Sequence, residues 1–352
     1  SREVYFAGVN IFDAWWIGSG LQATHTYDAP SGQRRATTYD DALRQLDSAK
    51  RSGVKVFRMF ASLFGDSQLH WLQNATEYWA RMDRLLDAIE DRGLYVLPSI
   101  GSSDWYMLAN AASAANETKY DLVVNSSSVS RALALRYFGE LVSRYAGRRA
   151  VLMWELGNEL NLACNNPGHF CGSPHDKCYS AAQMSAYSAA LVATIRAKDP
   201  RRPVSSGFSL PRPYAWHQEH CPMKGDCPAD PGSGYYTRDS PAQFAEILAA
   251  QNGAVDVWSA HYYDNTSAAP SPSCWFPDCV CDASVLELAA STAAKHGAVL
   301  YVGEYGHLST PATREFVRSV LSTQEGNVQA GGAFKFSTVW AWACPTHRGG
   351  AG

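Results

Sequence analysis

One pattern recurs along the chain: a short, almost uninterrupted apolar run, a polar loop, then a stretch whose apolar positions return at helical spacing. The apolar runs fall at residues 4–10, 55–60, 94–100, 151–156, 203–207, 255–263, 299–305 and 333–342. Helices are predicted between them at 40–52, 77–92, 128–145, 181–198, 241–251, 284–296 and 313–322, with Gly93 as a C-terminal stop for the second. Runs that do not alternate suit parallel strands covered on both faces. Strand and helix in strict alternation predict an α/β fold, and eight apolar runs predict a closed (β/α)8 TIM barrel. A doubly wound open sheet is the competing arrangement, but no Gly-rich phosphate loop follows the first run. With no internal repeat and no low-complexity linker, residues 1–352 read as a single domain. Only ten residues follow Trp342, which leaves no room for an eighth helix. Either the chain continues past that point or the barrel closes without it.

Composition narrows the partners. The formal net charge is −3 and the basic residues are scattered, so neither nucleic acid nor an anionic membrane is expected to bind. No apolar stretch reaches the ~20 residues of a membrane helix. Nine cysteines and the glycosylation acceptors Asn74, Asn116, Asn125 and Asn265 together favour a secreted, extracellular protein. Ser1 leads almost directly into the first run, which reads as a processed N-terminus. A monomer acting on a neutral substrate fits these features.

Chemistry is expected where barrel strands end. The fourth run closes Trp154-Glu155-Leu156-Gly157-Asn158-Glu159, and the seventh closes Tyr301-Val302-Gly303-Glu304-Tyr305-Gly306. A carboxylate at the end of a buried strand is unfavourable unless something pairs with it. Two of them, on opposed strands of one barrel, form the pair that glycoside hydrolysis needs, about 5–5.5 Å apart in retaining enzymes. Each alone also reads as an ordinary buried, hydrogen-bonded glutamate. A nucleophilic carboxylate must stay ionised, so it calls for a permanent cation and hydrogen-bond donors. The proton donor calls for a drier site and a raised pKa.

These strand ends resemble the clan A glycoside hydrolases, and within them family 5, over essentially the whole chain. The resemblance implies Glu159 as acid/base and Glu304 as nucleophile. It further implies Asn158 on the 2-hydroxyl of the sugar attacked, Arg58 hydrogen-bonded to the nucleophile, the pair His261 and Tyr263 after the sixth strand, and Trp340 closing the eighth. Read from the residues alone, Arg58 also fits a structural salt bridge and His261 a satisfied core histidine. The segment after the third strand, with Asp104 and Trp105, is similar to eukaryotic endo-β-1,4-mannanases and offers no histidine of the kind many cellulases carry there. The expected activity is therefore retaining hydrolysis of a β-linked polysaccharide, most nearly mannan, with no cofactor and no metal. A β-glucanase or cellulase, or a non-catalytic carbohydrate-binding wall protein on the same barrel, are the alternatives.

The chain holds 11 Trp, 18 Tyr and 13 Phe, enough to line a cleft as well as a core. Trp15, Trp16, Trp105, Trp275, Trp340 and Trp342 sit where indole faces can stack on sugar rings, though core packing suits most of them equally. Cys164, Cys171, Cys178, Cys221, Cys227, Cys274, Cys279, Cys281 and Cys344 all follow strands 4, 5, 6 or 8. They predict long, disulfide-rich loops on the catalytic face, with one thiol left over. Zinc is the rival reading, prompted by His169, His175 and His220, but no Cys-x2-Cys pair recurs.

Overall fold

The structure is a computed structural model that describes residues 5–20, 38–63, 66–102, 115–164, 178–263, 275–278, 283–306 and 314–340. Trp105, Trp342, Asp104, Asn265, His169, His175 and Cys171, Cys274, Cys279, Cys281 and Cys344 lie outside the described residues.

Eight parallel strands close a barrel in sequence order: β1 (Phe6–Asn10), β2 (Val56–Phe60), β3 (Tyr95–Ser102), β4 (Trp154–Asn158), β5 (Val204–Ser205), β6 (Val257–Tyr263), β7 (Val299–Gly306) and β8 (Phe334–Val339). Closure is made by β1 on β8, with Phe6 opposite Phe336 and Val9 opposite Val339. The open-sheet alternative therefore falls. Helices cover the outside: α1 (Ala14–Gly18), α2 (Tyr39–Arg51), α3 (Asp66–Gln73), α4 (Ala75–Asp91), α5 (Lys119–Val124), α6 (Val129–Tyr145), α7 (Ala181–Arg196), α8 (Ala215–His220), α9 (Pro241–Asn252), α10 (Ser284–Lys295) and α11 (Arg314–Gln329).

All seven predicted helices are present, and several of their starts are chemically marked. Thr38 and Asp41, Ser180 and Gln183, and Ser240 and Gln243 close reciprocal capping boxes, and Pro241 takes the first turn of α9. Gly93 ends α4 at φ +64°, as its stop role requires. The largest boundary difference is at α11, which runs seven residues beyond the predicted 322. Its second half is polar and contains Gly326, which hid the periodicity. Buried Gln324 holds that half in place by donating to the carbonyls of Phe6 and Lys335 and accepting from Ser337. The short helices α1, α3, α5 and α8 fall in stretches that read as loops.

Inside the barrel, Val56, Leu97, Met153, Val257 and Tyr301 meet from five sides as an apolar plug near the strand starts. Two residues further along, the same faces carry Arg58, Ser99, Glu155 and Ser259. The larger core lies outside the barrel, between strands and helices. The plug closes one end, so chemistry is confined to the other.

Candidate active site

Arg58 is the hub. It is 0% exposed on β2 and reaches five side chains on four other strands, Ser99 on β3 being the most distant at 3.5 Å. Its guanidinium donates to Glu304 Oε1 at 2.6 Å, Glu155 Oε1 at 2.8 Å, Asn158 Oδ1 at 2.9 Å and Asn10 Oδ1 at 3.1 Å. Burial works against its charge, but Glu155 and Glu304 more than offset that and hold its pKa above the usual arginine range. Asn10 in turn donates to the carbonyl of Gly303 at 2.9 Å, which ties the ends of β1 and β7 together.

Glu304 is almost fully buried, and both its oxygens are engaged. Oε1 accepts from Arg58, and Oε2 accepts from the Tyr263 hydroxyl. Burial raises the Tyr263 pKa, and the negative charge of Glu304 raises it further, so the phenol stays a donor. A carboxylate held at both oxygens is fixed in direction.

Its direction depends on a fault in the strand ladder. Ala260 pairs Val302 and His261 pairs Glu304, so β7 carries one more residue than β6 across that step. The same fault shows against β8, where the register shifts between Val302 and Tyr305. Leu300, Val302 and Tyr305 therefore all pack outward on the helices, and Glu304 turns inward. Gly303 is the residue passed over. A Cβ there would lie 2.9 Å from His261 Nε2 and 3.1 Å from Ser259 Oγ, so the His261 ring occupies the space that a side chain would take.

Glu159 stands just past β4 in the left-handed region, at φ 52°. Its amide donates to the carbonyl of Gly207 at 2.8 Å, and Gly207 itself has φ +69°. A Cβ on Gly207 would meet the Gly157 carbonyl at 2.2 Å, so only glycine lets β5 come this close. Glu159 retains 21% side-chain exposure, which leaves it open to the cleft. His261 Nδ1 lies 3.0 Å from Glu159 Oε1 and 3.5 Å from Glu304 Oε2. An oxygen of each glutamate and a ring nitrogen of His261 all lie within 4.8 Å of one another.

The raised pKa expected for Glu159 is not what the resting pocket gives. Burial pushes its carboxyl up, but the His261 hydrogen bond and the charges of His261, Arg212 and Arg58 more than offset it and hold it below the usual range.

The remaining candidates separate clearly. Glu159, Glu304, Arg58, Asn158, His261 and Tyr263 come together. Arg58 and His261 are too buried to present a face to the cleft, and each contacts a glutamate instead. Trp340 is half-buried at the end of β8, stacked on Phe12 at 5.0 Å and beside Phe60. Trp16 is buried, packs against Phe12 and Phe60, and donates its indole N–H to the Ser62 carbonyl. Trp15 and Trp275 are likewise buried and hydrogen-bonded, to Tyr78 and to the Pro211 carbonyl. These three form wall rather than exposed stacking surface. Asn10 and Glu155 were not singled out beforehand, although each is a polar residue in or ending an apolar run. Among the described cysteines, Cys221 and Cys227 are bridged, Cys178 is disulfide-bonded, and Cys164 is a buried free thiol.

Comparison with known proteins follows the same line. Residues 35–330 match the family described as Cellulase (glycosyl hydrolase family 5). The mannan endo-1,4-beta-mannosidase F of Aspergillus clavatus is 26% identical over 272 residues, covering 74% of this chain and 53% of that protein. The chain thus spans about half the length of that curated relative. Among solved structures, the endo-β-1,4-mannanase of Thermotoga petrophila superposes with a TM-score of 0.61 at 15% identity, covering 97% of this chain and 68% of that one. The endo-1,4-β-mannanase of Rhizomucor miehei gives 0.60 at 17% identity, covering 97% and 87%. The virulence factor SghA of Agrobacterium tumefaciens gives 0.60 at 16% identity, covering 97% and 88%. At such identities the likeness concerns the fold.

Proposed function

The chain belongs to glycosyl hydrolase family 5, and from that premise we propose that it is a secreted, retaining endo-β-1,4-mannanase with residues 1–352 as one catalytic barrel. The observation that carries the chemistry is the pairing of Glu159 and Glu304, with oxygens within 4.8 Å and Glu304 held by Arg58 and Tyr263. That closeness leaves no room for a water between sugar and carboxylate, so the carboxylate itself attacks. Glu304 bonds to the anomeric carbon as the glycosidic C–O bond breaks. Glu159, in its protonated form, gives its carboxyl proton to the leaving oxygen. Glu304 is then an ester without charge, and Glu159 is left as the base. It takes a proton from water, the hydroxyl attacks the same carbon, the ester breaks, and the original β configuration returns. Asn158, fixed by Arg58, is placed for the 2-hydroxyl.

Mannan is favoured by the Aspergillus clavatus relative, which is named for that substrate. The family's description as cellulase keeps β-glucan as the second reading. A non-catalytic wall protein is disfavoured, because a dead barrel has no need to keep Glu304 buried and doubly hydrogen-bonded. The Cys221–Cys227 bridge supports an oxidising compartment. Reducing-sugar release from β-mannan, glucomannan, carboxymethyl cellulose and laminarin tests substrate and activity together. Mannan and glucomannan should be cut fastest, and proton NMR on fresh hydrolysate should show the β-anomer first. Release from laminarin or carboxymethyl cellulose alone would move the assignment to a glucanase, and the α-anomer appearing first would rule out double displacement.

A further inference from the structure

Past β5 the chain does not leave the active site at once. Gly207 is bonded to Glu159, and two residues on, Ser209 and Asn161 exchange hydrogen bonds at 2.8 and 3.0 Å. The segment Leu210-Pro211-Arg212-Pro213-Tyr214 therefore leaves from a strand end that is bonded to Glu159 and to Asn161, and Tyr214 at its close is partly exposed. Two prolines stiffen it, and Trp275 clamps the Pro211 carbonyl at 2.9 Å. The charge of Arg212 acts on Glu159.

At the far end, Tyr236 is 62% exposed and packs edge-on against Tyr214, with centroids 5.7 Å apart and planes at 84°. Buried Tyr235 supports it from the side at 4.9 Å. The backbone beneath is fixed at several points. Asp239 donates its amide to Pro213, and its carboxylate accepts from the amides of Trp216 and His217 and from the His217 ring. The Cys221–Cys227 bridge and the turn from Gly234 to Thr237 hold the rest. A large exposed ring on so restrained a loop signals a binding surface more than slack.

We propose that Tyr214 and Tyr236 form an aromatic platform that stacks a hexopyranose of the polysaccharide on the leaving-group side, at least one unit beyond the sugar whose oxygen Glu159 protonates. The inference rests on the hydrolase reading above. The side follows from the path: the platform grows from the strand that contacts Glu159, whereas Trp340 stands on β8, across the barrel. A pyranose C–H face suits a phenol ring, and the roughly perpendicular pair offers a wall and a floor. Arg212, between the platform and Glu159, is placed to meet hydroxyls of the intervening sugar.

The test compares two substrates. β-1,4-Mannohexaose places sugars on both sides of the cut, whereas 4-nitrophenyl β-mannobioside has none beyond the aryl leaving group. Tyr214→Ala and Tyr236→Ala should each lower kcat/KM on the hexaose by about 3- to 10-fold and leave the aryl glycoside unchanged. Tyr236→Phe, which keeps the ring, should behave as wild type. The hexaose cut should shift toward the reducing end in the alanine variants, because weaker binding on that side lets the chain slide. No loss on the hexaose, or an equal loss on both substrates, overturns the platform. If the wild-type chain cleaves neither substrate and nothing in the polysaccharide panel, the hydrolase reading falls instead. The platform is then decided by native gels containing galactomannan. Retardation that is lost in Tyr236→Ala supports it, and retardation equal to that of the variant, or absent altogether, overturns it.

Discussion

The two layers inside the barrel are built from the same strands and have opposite character. Val56, Leu97, Met153 and Val257 fill the lower layer with hydrocarbon. Arg58, Ser99, Glu155 and Ser259, one pleat above, fill the next with charge and hydroxyl. The lower layer gains from leaving water. The upper layer holds one cation against the carboxylates of Glu155 and Glu304 and must recover a desolvation penalty through geometry. The contrast teaches why the site is stiff: Arg58, Ser99, Glu155 and Ser259 are each anchored two residues away in a packed plug. It also predicts that stability and activity separate between the layers.

The largest effect should come from Arg58→Met. It strands two buried carboxylates, which should destabilise the fold by about 3–5 kcal/mol in denaturant titration. It also removes the cation that holds and aims Glu304, so kcat/KM should fall by about a hundred- to a thousand-fold. Adding Glu155→Leu removes one stranded charge and should restore part of the stability and none of the activity. Activity within a few-fold of wild type in Arg58→Met would end the account of Arg58 as hub.

Leu97→Ala probes the lower layer in the opposite sense. Leu97 is fully buried in the plug, so its truncation should cost about 2–4 kcal/mol of stability. Because the charged layer keeps its own bonds, kcat/KM measured well below the melting transition should stay within a few-fold. A loss of activity matching that of Arg58→Met would mean that the layers are not separable.

How far the chain betrayed all this in advance depends on what carried the signal. The strands were legible because strands covered on both faces must be apolar throughout. Glu159, Glu304 and Arg58 were legible because each interrupts or ends such a run. Asn10 ends the first run in the same way, and Glu155 sits within the fourth, so the same signal was available for both. The inward turn of Glu304 was not legible. Strict alternation from Tyr301 points Gly303 and Tyr305 into the barrel and Glu304 out of it, and only the extra residue on β7 reverses this. Trp16 and Trp275 looked like stacking surfaces because sequence gives their position after a strand but not the carbonyl each indole meets. The lowered pKa of Glu159 was hidden for a related reason: it depends on His261, more than a hundred residues away, reaching it across the barrel.

His261 offers a subtler test of the upper layer. With the Glu159 pKa held down, the free protein loses the donor proton at a lower pH than an ordinary glutamate would. The alkaline limb of kcat/KM should therefore lie on the acidic side. His261→Asn removes a charge that lowers the Glu159 pKa and leaves burial, which raises it. The limb should move to higher pH, with kcat reduced because Glu159 is less firmly placed. A limb that stays in place, or moves to lower pH, would show that His261 does not set the Glu159 proton.

The smallest effect is expected above both layers, at the rim. Cys221–Cys227 closes a loop with a sequence separation of only 6, so chain entropy credits it with about 2 kcal/mol. That sum constrains a local segment, and neither interior layer touches it. Replacing Cys221 and Cys227 together by alanine should lower the melting temperature by a few degrees, about 2–5 °C for a domain this large, and leave the barrel's cooperative transition intact. What the bridge governs is the ground beneath Tyr214 and Tyr236, since it spans the segment between α8 and the turn that carries Tyr236. The double alanine variant should accordingly weaken hydrolysis of mannohexaose more than that of the aryl mannobioside, repeating the Tyr236→Ala pattern at lower amplitude. Loss of both activities in parallel, or a collapse of the melting temperature by tens of degrees, would mean that the rim supports the barrel itself, and the separation of interior from rim would not hold.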